Sequence, residues 1–157
     1  MNLRGLKKFL IASNKAGYAG GEEKKWTKEP NGSTTIPYEK GDWKSDDNFF
    51  GGEPYGGRIV VFYKNSPVWM MVYYGWVAEG IEPNPIYSVL RGALMRMPDE
   101  APFRGPKEYK EGERVYSNDW NGDVDRYSGE EQIVDELGKL VYRANYFGGL
   151  VDQGRGV

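Results

Sequence analysis

One stretch of the chain occurs twice. Residues 42–53 read DWKSDDNFFGGE and residues 119–130 read DWNGDVDRYSGE; they align without a gap at an offset of 77 (119 − 42), with Asp, Trp, Asp, Gly and Glu in register. Each copy runs into two segments rich in β-formers that close on a paired-aromatic-Gly motif, Tyr73-Tyr74-Gly75 and Tyr146-Phe147-Gly148. There the offset falls to 73 (146 − 73), because Pro54 to Gly57 are four additional residues in the first copy. The repeat predicts an internal duplication, with halves of approximately 1–77 and 84–151 inside one domain spanning 1–157. The fold class expected is α+β: a mostly antiparallel sheet with two helices packed on one face and a pseudo-twofold axis.

Local patterns supply the elements. Leu3, Leu6, Leu10 and Ser13 fall at helical spacing, Asn2 is placed to cap, and Ala16-Gly17 ends the stripe. Residues 18–40 carry Gly-Gly, Pro-Asn-Gly and Pro-Tyr turn signals with little periodicity, so a long mobile loop is expected there. Arg58 to Tyr63 and Val68 to Val77 read as strands around a turn at 64–67. Gln132 to Glu136 and Leu140 to Phe147 are their counterparts, and the more polar turn at 137–139 places this hairpin nearer a sheet edge. Between the copies, Ile86, Val89, Leu90, Ala93, Leu94 and Met97 define a second helix, capped by Asn84 with Pro85 at the first position and stopped by Pro98. Residues 101–116 form a Pro- and Gly-punctuated connection ending in a short strand, and 152–157 a polar tail.

The residues that are missing narrow the chemistry. With no cysteine, disulfides, thiolate metal sites and cysteine nucleophiles are excluded; with no histidine, so are imidazole triads and the usual general base. A net charge of −2 without dense Lys or Arg runs argues against direct nucleic-acid binding. No stretch approaches the roughly 20 apolar residues that span a bilayer, so no membrane association and a cytoplasmic location are expected. No cofactor is implied.

Three constellations remain. Asp119, Asn121, Asp123 and Asp125, with Glu130 at position twelve, follow the spacing of an EF-hand loop. Against that reading, Val124 stands at the required Gly and the matching copy has Lys44 at the third position. The paired carboxylates Asp46 with Asp47 and Asp123 with Asp125, and the repeat-related Glu53 and Glu130, offer acid and base groups if the two Glu residues face each other across a pseudo-axis. Trp69, Tyr73, Tyr74, Trp76, Tyr142, Tyr146 and Phe147 lie on paired strands, where alternation sends about half to the core and leaves the rest to line a pocket for a flat or cationic small molecule. Glu53, Trp69, Tyr73, Glu130, Tyr142 and Tyr146 are the candidate ligand-binding residues.

In order along the chain, Tyr18-Ala19-Gly20-Gly21, Phe49-Phe50-Gly51-Gly52, Pro67-Val68-Trp69, Tyr73-Tyr74-Gly75, Phe103-Arg104-Gly105-Pro106 and Tyr146-Phe147-Gly148-Gly149-Leu150 resemble the bacterial and archaeal domain of unknown function 5680. The resemblance implies a module that stands alone or follows an XRE-type helix-turn-helix domain, hence a sensory or effector role, and it brings no catalytic residues. Phe147 stands where the resemblance leads one to expect His in many members, and no helix-turn-helix is seen here. The function expected is a non-enzymatic small-molecule-binding or sensor domain, with a homodimer or a regulator protein as further partners. The alternatives are a carboxylate-based enzyme and a protein interaction module.

Overall fold

The computed structural model describes residues 1–20, 26–152 and 154. Helix α1 (Leu3–Ala16) begins where Asn2 Oδ1 accepts from the Gly5 amide at 2.6 Å, and it buries Leu6, Phe9 and Leu10. Each such side chain contributes about 1.5–3 kcal/mol on leaving water, so the stripe suffices to dock the helix. Helix α2 (Pro83–Leu94) starts two residues earlier than the Asn84 cap predicts, because the Glu82 side chain reaches the Asn84 amide and Pro83 takes the first turn. It also ends before Met97, at Leu94.

Among the described residues nine strands follow: β1 (Thr27–Lys28), β2 (Thr34–Lys40), β3 (Trp43–Phe50), β4 (Tyr55–Tyr63), β5 (Ser66–Val77), β6 (Glu108–Glu111), β7 (Arg114–Asp123), β8 (Arg126–Val134) and β9 (Leu140–Leu150). All pair antiparallel in one sheet, in the order β1-β2-β3-β4-β5-β9-β8-β7-β6. The α+β expectation holds, with far more sheet than helix. Among the described residues no helix is long and apolar enough to cross a membrane.

Alternation gives the sheet an inner and an outer face. Trp69, Met71 and Tyr73 of β5 and Tyr146 of β9 pack with α1, while Val77, Tyr142 and Ala144 on the same face pack with α2. Both helices therefore cover one side. The opposite side exposes Phe50, Tyr74 and Phe147.

Three local expectations need correction. The predicted loop over 18–40 contains β2 and the short β1; residues 21–25 of it, and most of the tail over 152–157, lie outside the described residues. The hairpin β8–β9 is not at an edge, since β9 pairs with β5 at the centre of the sheet. The two copies of the Asp-Trp motif also differ in shape. The first runs straight along β3, whereas the second is folded back on itself, from the end of β7 through Val124-Asp125 into β8.

The sheet pairs residues at an offset of 73 rather than 77: Tyr73 and Tyr146 are direct partners where β5 meets β9. On two pairs of neighbouring strands a tyrosine and a glycine two residues apart face the same two residue types on the partner: Tyr55 opposite Gly75 and Gly57 opposite Tyr73 on β4 and β5, Tyr127 opposite Gly148 and Gly129 opposite Tyr146 on β8 and β9. The tyrosine rings lie so close to these glycines that a Cβ on Gly75 would meet the Tyr55 hydroxyl at 2.7 Å, and one on Gly129 the Tyr146 ring at 2.2 Å.

Candidate functional site

Between the helices and the inner face lies a cavity of about 260 Å³. Its floor is Ile59, Trp69, Met71 and Tyr73 on the central strands, its sides are Tyr38 and Phe49, and Leu10 and Leu94 roof it. The exposed Gly51, Gly52 and Trp26 form the rim. The walls are mostly aromatic and aliphatic, with few polar groups, the composition typical of small-molecule pockets.

Among the described residues, two charged side chains line it. Asp47, on the inner face of β3, accepts from the Tyr73 hydroxyl through Oδ1 at 2.5 Å. Burial pushes its carboxyl up to about 6, against the opposing effects of the Tyr73 hydrogen bond and the Arg104 charge. Arg104 sits in the connection between α2 and β6, with its guanidinium 5.7 Å from the centre of the Tyr73 ring. Nε and Nη2 both donate to Glu131 Oε1, at 2.9 and 2.5 Å.

Behind the cavity wall, Glu131 is completely buried and its acceptors are filled. Oε1 takes the two Arg104 bonds and the Tyr142 hydroxyl at 3.1 Å, and Oε2 takes the Tyr116 hydroxyl at 2.5 Å. The hydroxyls of Tyr142 and Tyr55 are 2.5 Å apart, and Arg104 Nη2 reaches Tyr55 at 3.5 Å. Burial first, then the Glu131 charge, raises the hydroxyls of Tyr116 and Tyr142, which therefore stay protonated donors. Burial is the largest single effect and works against the Arg104 charge, but Glu131 together with the Tyr55 and Tyr142 hydroxyls outweighs it and holds the guanidinium protonated. The network is a satisfied ion pair that fixes Arg104 in place.

The residues singled out from sequence separate into three groups. Trp69 and Tyr73 line the cavity, and the Trp69 indole is pinned by donating to the Val124 carbonyl at 2.9 Å. Tyr142 and Tyr146 lie behind the wall: Tyr142 belongs to the Glu131 network, and Tyr146 donates to Asn118 at 2.7 Å. Glu53 sits beside the rim, accepting from the Val77 amide at 2.8 Å and from the hydroxyl of Tyr87, a lining residue; burial and Glu53 together raise that hydroxyl.

Glu130 is not part of the site. It points to the outer face, where it accepts from Gln132 at 2.6 Å and lies 3.6 Å from Arg143 Nε. Glu53 and Glu130 therefore do not face each other. The inward glutamate is its neighbour Glu131, which sequence reading missed along with Arg104 and Tyr55; Asp47 had been noted only as half of an acidic pair. The signal for Arg104 was its place in the Phe103-Arg104-Gly105-Pro106 motif.

The EF-hand spacing is likewise undone by the strand. Asp119 and Asn121 lie along extended β7, where alternate residues stand about 6.6 Å apart and do not curl around an ion, and beyond Gly122, whose φ is positive, Asp123 turns to α1. Asp119 pairs with Lys107 at 3.2 Å and Asp123 with Lys7 at 2.8 Å, while Asp125 lies in the turn to β8. Among the described residues no group of three or more Asp or Glu is placed to hold a metal.

No curated protein and no solved structure matches the chain. The family model described as domain of unknown function (DUF5680) matches residues 47–151, which begin at Asp47 and include Tyr73, Arg104 and Glu131, and the protein belongs to that family.

Proposed function

We propose that this protein is a non-enzymatic small-molecule-binding domain whose ligand occupies the cavity between the two helices and the sheet. The observation that carries the reading is the pair of cavity-facing charged groups with hydrogen-bonding capacity left over. Asp47 Oδ2 and Arg104 Nη1 have no hydrogen-bond partner among the described residues, although Oδ1, Nε and Nη2 are all engaged. Neither atom is sealed away: among the described residues the buried side-chain atom left without a partner is Arg143 Nε, so Asp47 Oδ2 and Arg104 Nη1 remain open to the cavity, where a ligand can reach them. The enclosing aromatic walls supply the apolar contact.

The site lies beneath two halves of related order, α1 followed by five strands and α2 followed by four, which we read as the products of an internal duplication about a pseudo-twofold axis at the Tyr73 and Tyr146 pair, with the short β1 as an additional edge strand. A sensor role follows if occupancy of the cavity shifts how α1 or α2 sits on the sheet.

The test is native mass spectrometry of protein purified without denaturation, followed by a thermal-shift screen against a metabolite library. A specific ligand at 100 times its Kd stabilises by about 2.7 kcal/mol. Ile59→Phe, which fills the cavity from its floor, should abolish the shift and leave the unliganded transition near that of the wild type. Shifts that survive Ile59→Phe would place binding elsewhere.

A second reading is favoured by the raised carboxyl of Asp47. A carboxyl near 6 in a mostly apolar cavity is suited to proton transfer, with Tyr73 as its hydrogen-bonding partner. Conversion of a captured ligand by wild type and not by Asp47→Asn would turn the domain into an acid–base enzyme.

A further inference from the structure

The charges around the cavity say what kind of ligand it takes, given that it takes one. Asp47 and Arg104 carry the formal charges among the described residues lining it. Arg104 is already matched: both Nε and Nη2 hold Glu131 Oε1, and that carboxylate is fully buried. An anion entering beside Arg104 would meet a guanidinium whose charge is spent on Glu131, with the second carboxylate of Asp47 nearby. Asp47 has no such partner. Its one hydrogen bond is from the neutral Tyr73 hydroxyl, and Oδ2 is unfilled. The fixed charge not yet balanced in the cavity is therefore negative, and it sits among ring faces that favour cations.

We propose that the cavity binds an organic amine in its protonated form, with an N–H donating to Asp47 Oδ2 and an apolar body lying between Tyr38, Phe49, Trp69 and Phe103. This rests on the binding reading above. Arg104 Nη1 then serves as a donor to a neutral acceptor on the same ligand, a hydroxyl or carbonyl oxygen, and Glu131 keeps it oriented. The volume sets the scale: about 260 Å³ is about nine waters' worth at ~30 Å³ each, room for a single-ring amine. The amine also relieves a cost of the empty site. Burial alone opposes the Asp47 charge, and a cation in contact would restore it to the ordinary carboxylate range.

The experiment compares three compounds of one shape: 2-phenylethylamine, 2-phenylethanol and 3-phenylpropanoate, titrated into the full chain at pH 7.5 and followed calorimetrically and by tryptophan indole resonances. The amine should bind at least tenfold more tightly than the other two. Asp47→Asn should bring the amine down to the affinity of the alcohol without changing the alcohol, and Tyr73→Phe, which keeps the carboxylate, should preserve the amine's advantage. If 3-phenylpropanoate binds best, or Asp47→Asn leaves the amine unaffected, the amine assignment is overturned while the cavity remains a binding site. If all three fail to bind at millimolar concentration and a metabolite-library screen also returns nothing sensitive to Ile59→Phe, the binding reading falls with it.

Discussion

The Tyr73 hydroxyl meets Asp47 Oδ1 at 2.5 Å from two strands away, crossing β4 where Gly57 leaves its surface bare. A Cβ at Gly57 would stand 2.6 Å from that hydroxyl and 2.5 Å from the Asn48 carbonyl oxygen. The glycine is thus what lets one strand's tyrosine hold another strand's carboxylate at the cavity wall. Gly57→Ala should destabilise by about 1–3 kcal/mol, as overpacked sites do, and should uncouple Asp47 from Tyr73. Gly52, with open space around it, is the control and should change by less than about 0.5 kcal/mol when replaced by Ala. Urea unfolding of both variants checks this, and equal effects would remove Gly57 from the argument.

Asp47 also sets a pH dependence. Its folded carboxyl, at about 6, lies above the ordinary 3.8, so the folded state holds the proton more tightly than the unfolded chain. That contribution is fully present below pH 3.8 and is lost as pH rises through 6. At 1.36 kcal/mol per unit, the loss is on the order of 3 kcal/mol. Asp47→Asn keeps an oxygen for Tyr73 but carries no charge. Its stability relative to wild type should therefore climb between pH 4 and pH 7.5, until the variant is the more stable protein at neutral pH. Calorimetric unfolding across that range measures it, and a difference independent of pH would mean that Asp47 is solvated.

This trade explains why the site was only partly legible in the chain. Trp69 and Tyr73 were found because strand alternation and aromatic content are local signals. Asp46 and Asp47 read in the chain as an undifferentiated acidic pair, and only the register of β3, with Asp47 opposite Ile59, turns one of them inward. Glu130 and Glu131 are adjacent, and a gapless alignment at 77 favours the first, whereas the sheet register turns the second inward. Arg104 sits in a loop whose Pro and Gly residues announce turns and nothing about what the guanidinium meets. In the fold, β2 was hidden by Pro37, a residue depleted in strands. It is tolerated because β1 pairs only with Thr34 and Thr35, leaving that part of the edge unpaired.

Breaking the ion pair behind the cavity should cost more than removing it. Glu131→Ala leaves Arg104 charged and buried with no counterion, and strips an acceptor from Tyr116 and Tyr142; about 3–5 kcal/mol of destabilisation is expected. Arg104→Met combined with Glu131→Gln removes both charges and retains an oxygen for the tyrosines. The double variant should be more stable than Glu131→Ala by at least about 1 kcal/mol, although it loses the Arg104 donor in the cavity. Denaturant unfolding of the two variants tests the ordering, and a Glu131→Ala protein as stable as wild type would show that water reaches the pair.

Trp69 ties the floor of the cavity to the far hairpin. Its indole N–H donates at 2.9 Å to the carbonyl of Val124, a residue with no exposed surface at the turn from β7 to β8, and its ring stacks on Tyr127 with centroids 5.7 Å apart. Trp69→Phe keeps the stacking but leaves a buried carbonyl without its donor, which costs about 1–3 kcal/mol. Because Trp69 is fully buried and lines the cavity, a bound ligand should alter its emission, whereas Trp76 projects from the opposite face of the same strand. Trp26 lines the rim of the same cavity, so the measurement is made in a Trp26→Phe background: the ligand-dependent fluorescence change should persist there and with Trp76→Phe added, and be lost with Trp69→Phe added, at ligand concentrations that still saturate each variant. A change that persists without Trp69 would move the ligand away from the floor formed by β4 and β5.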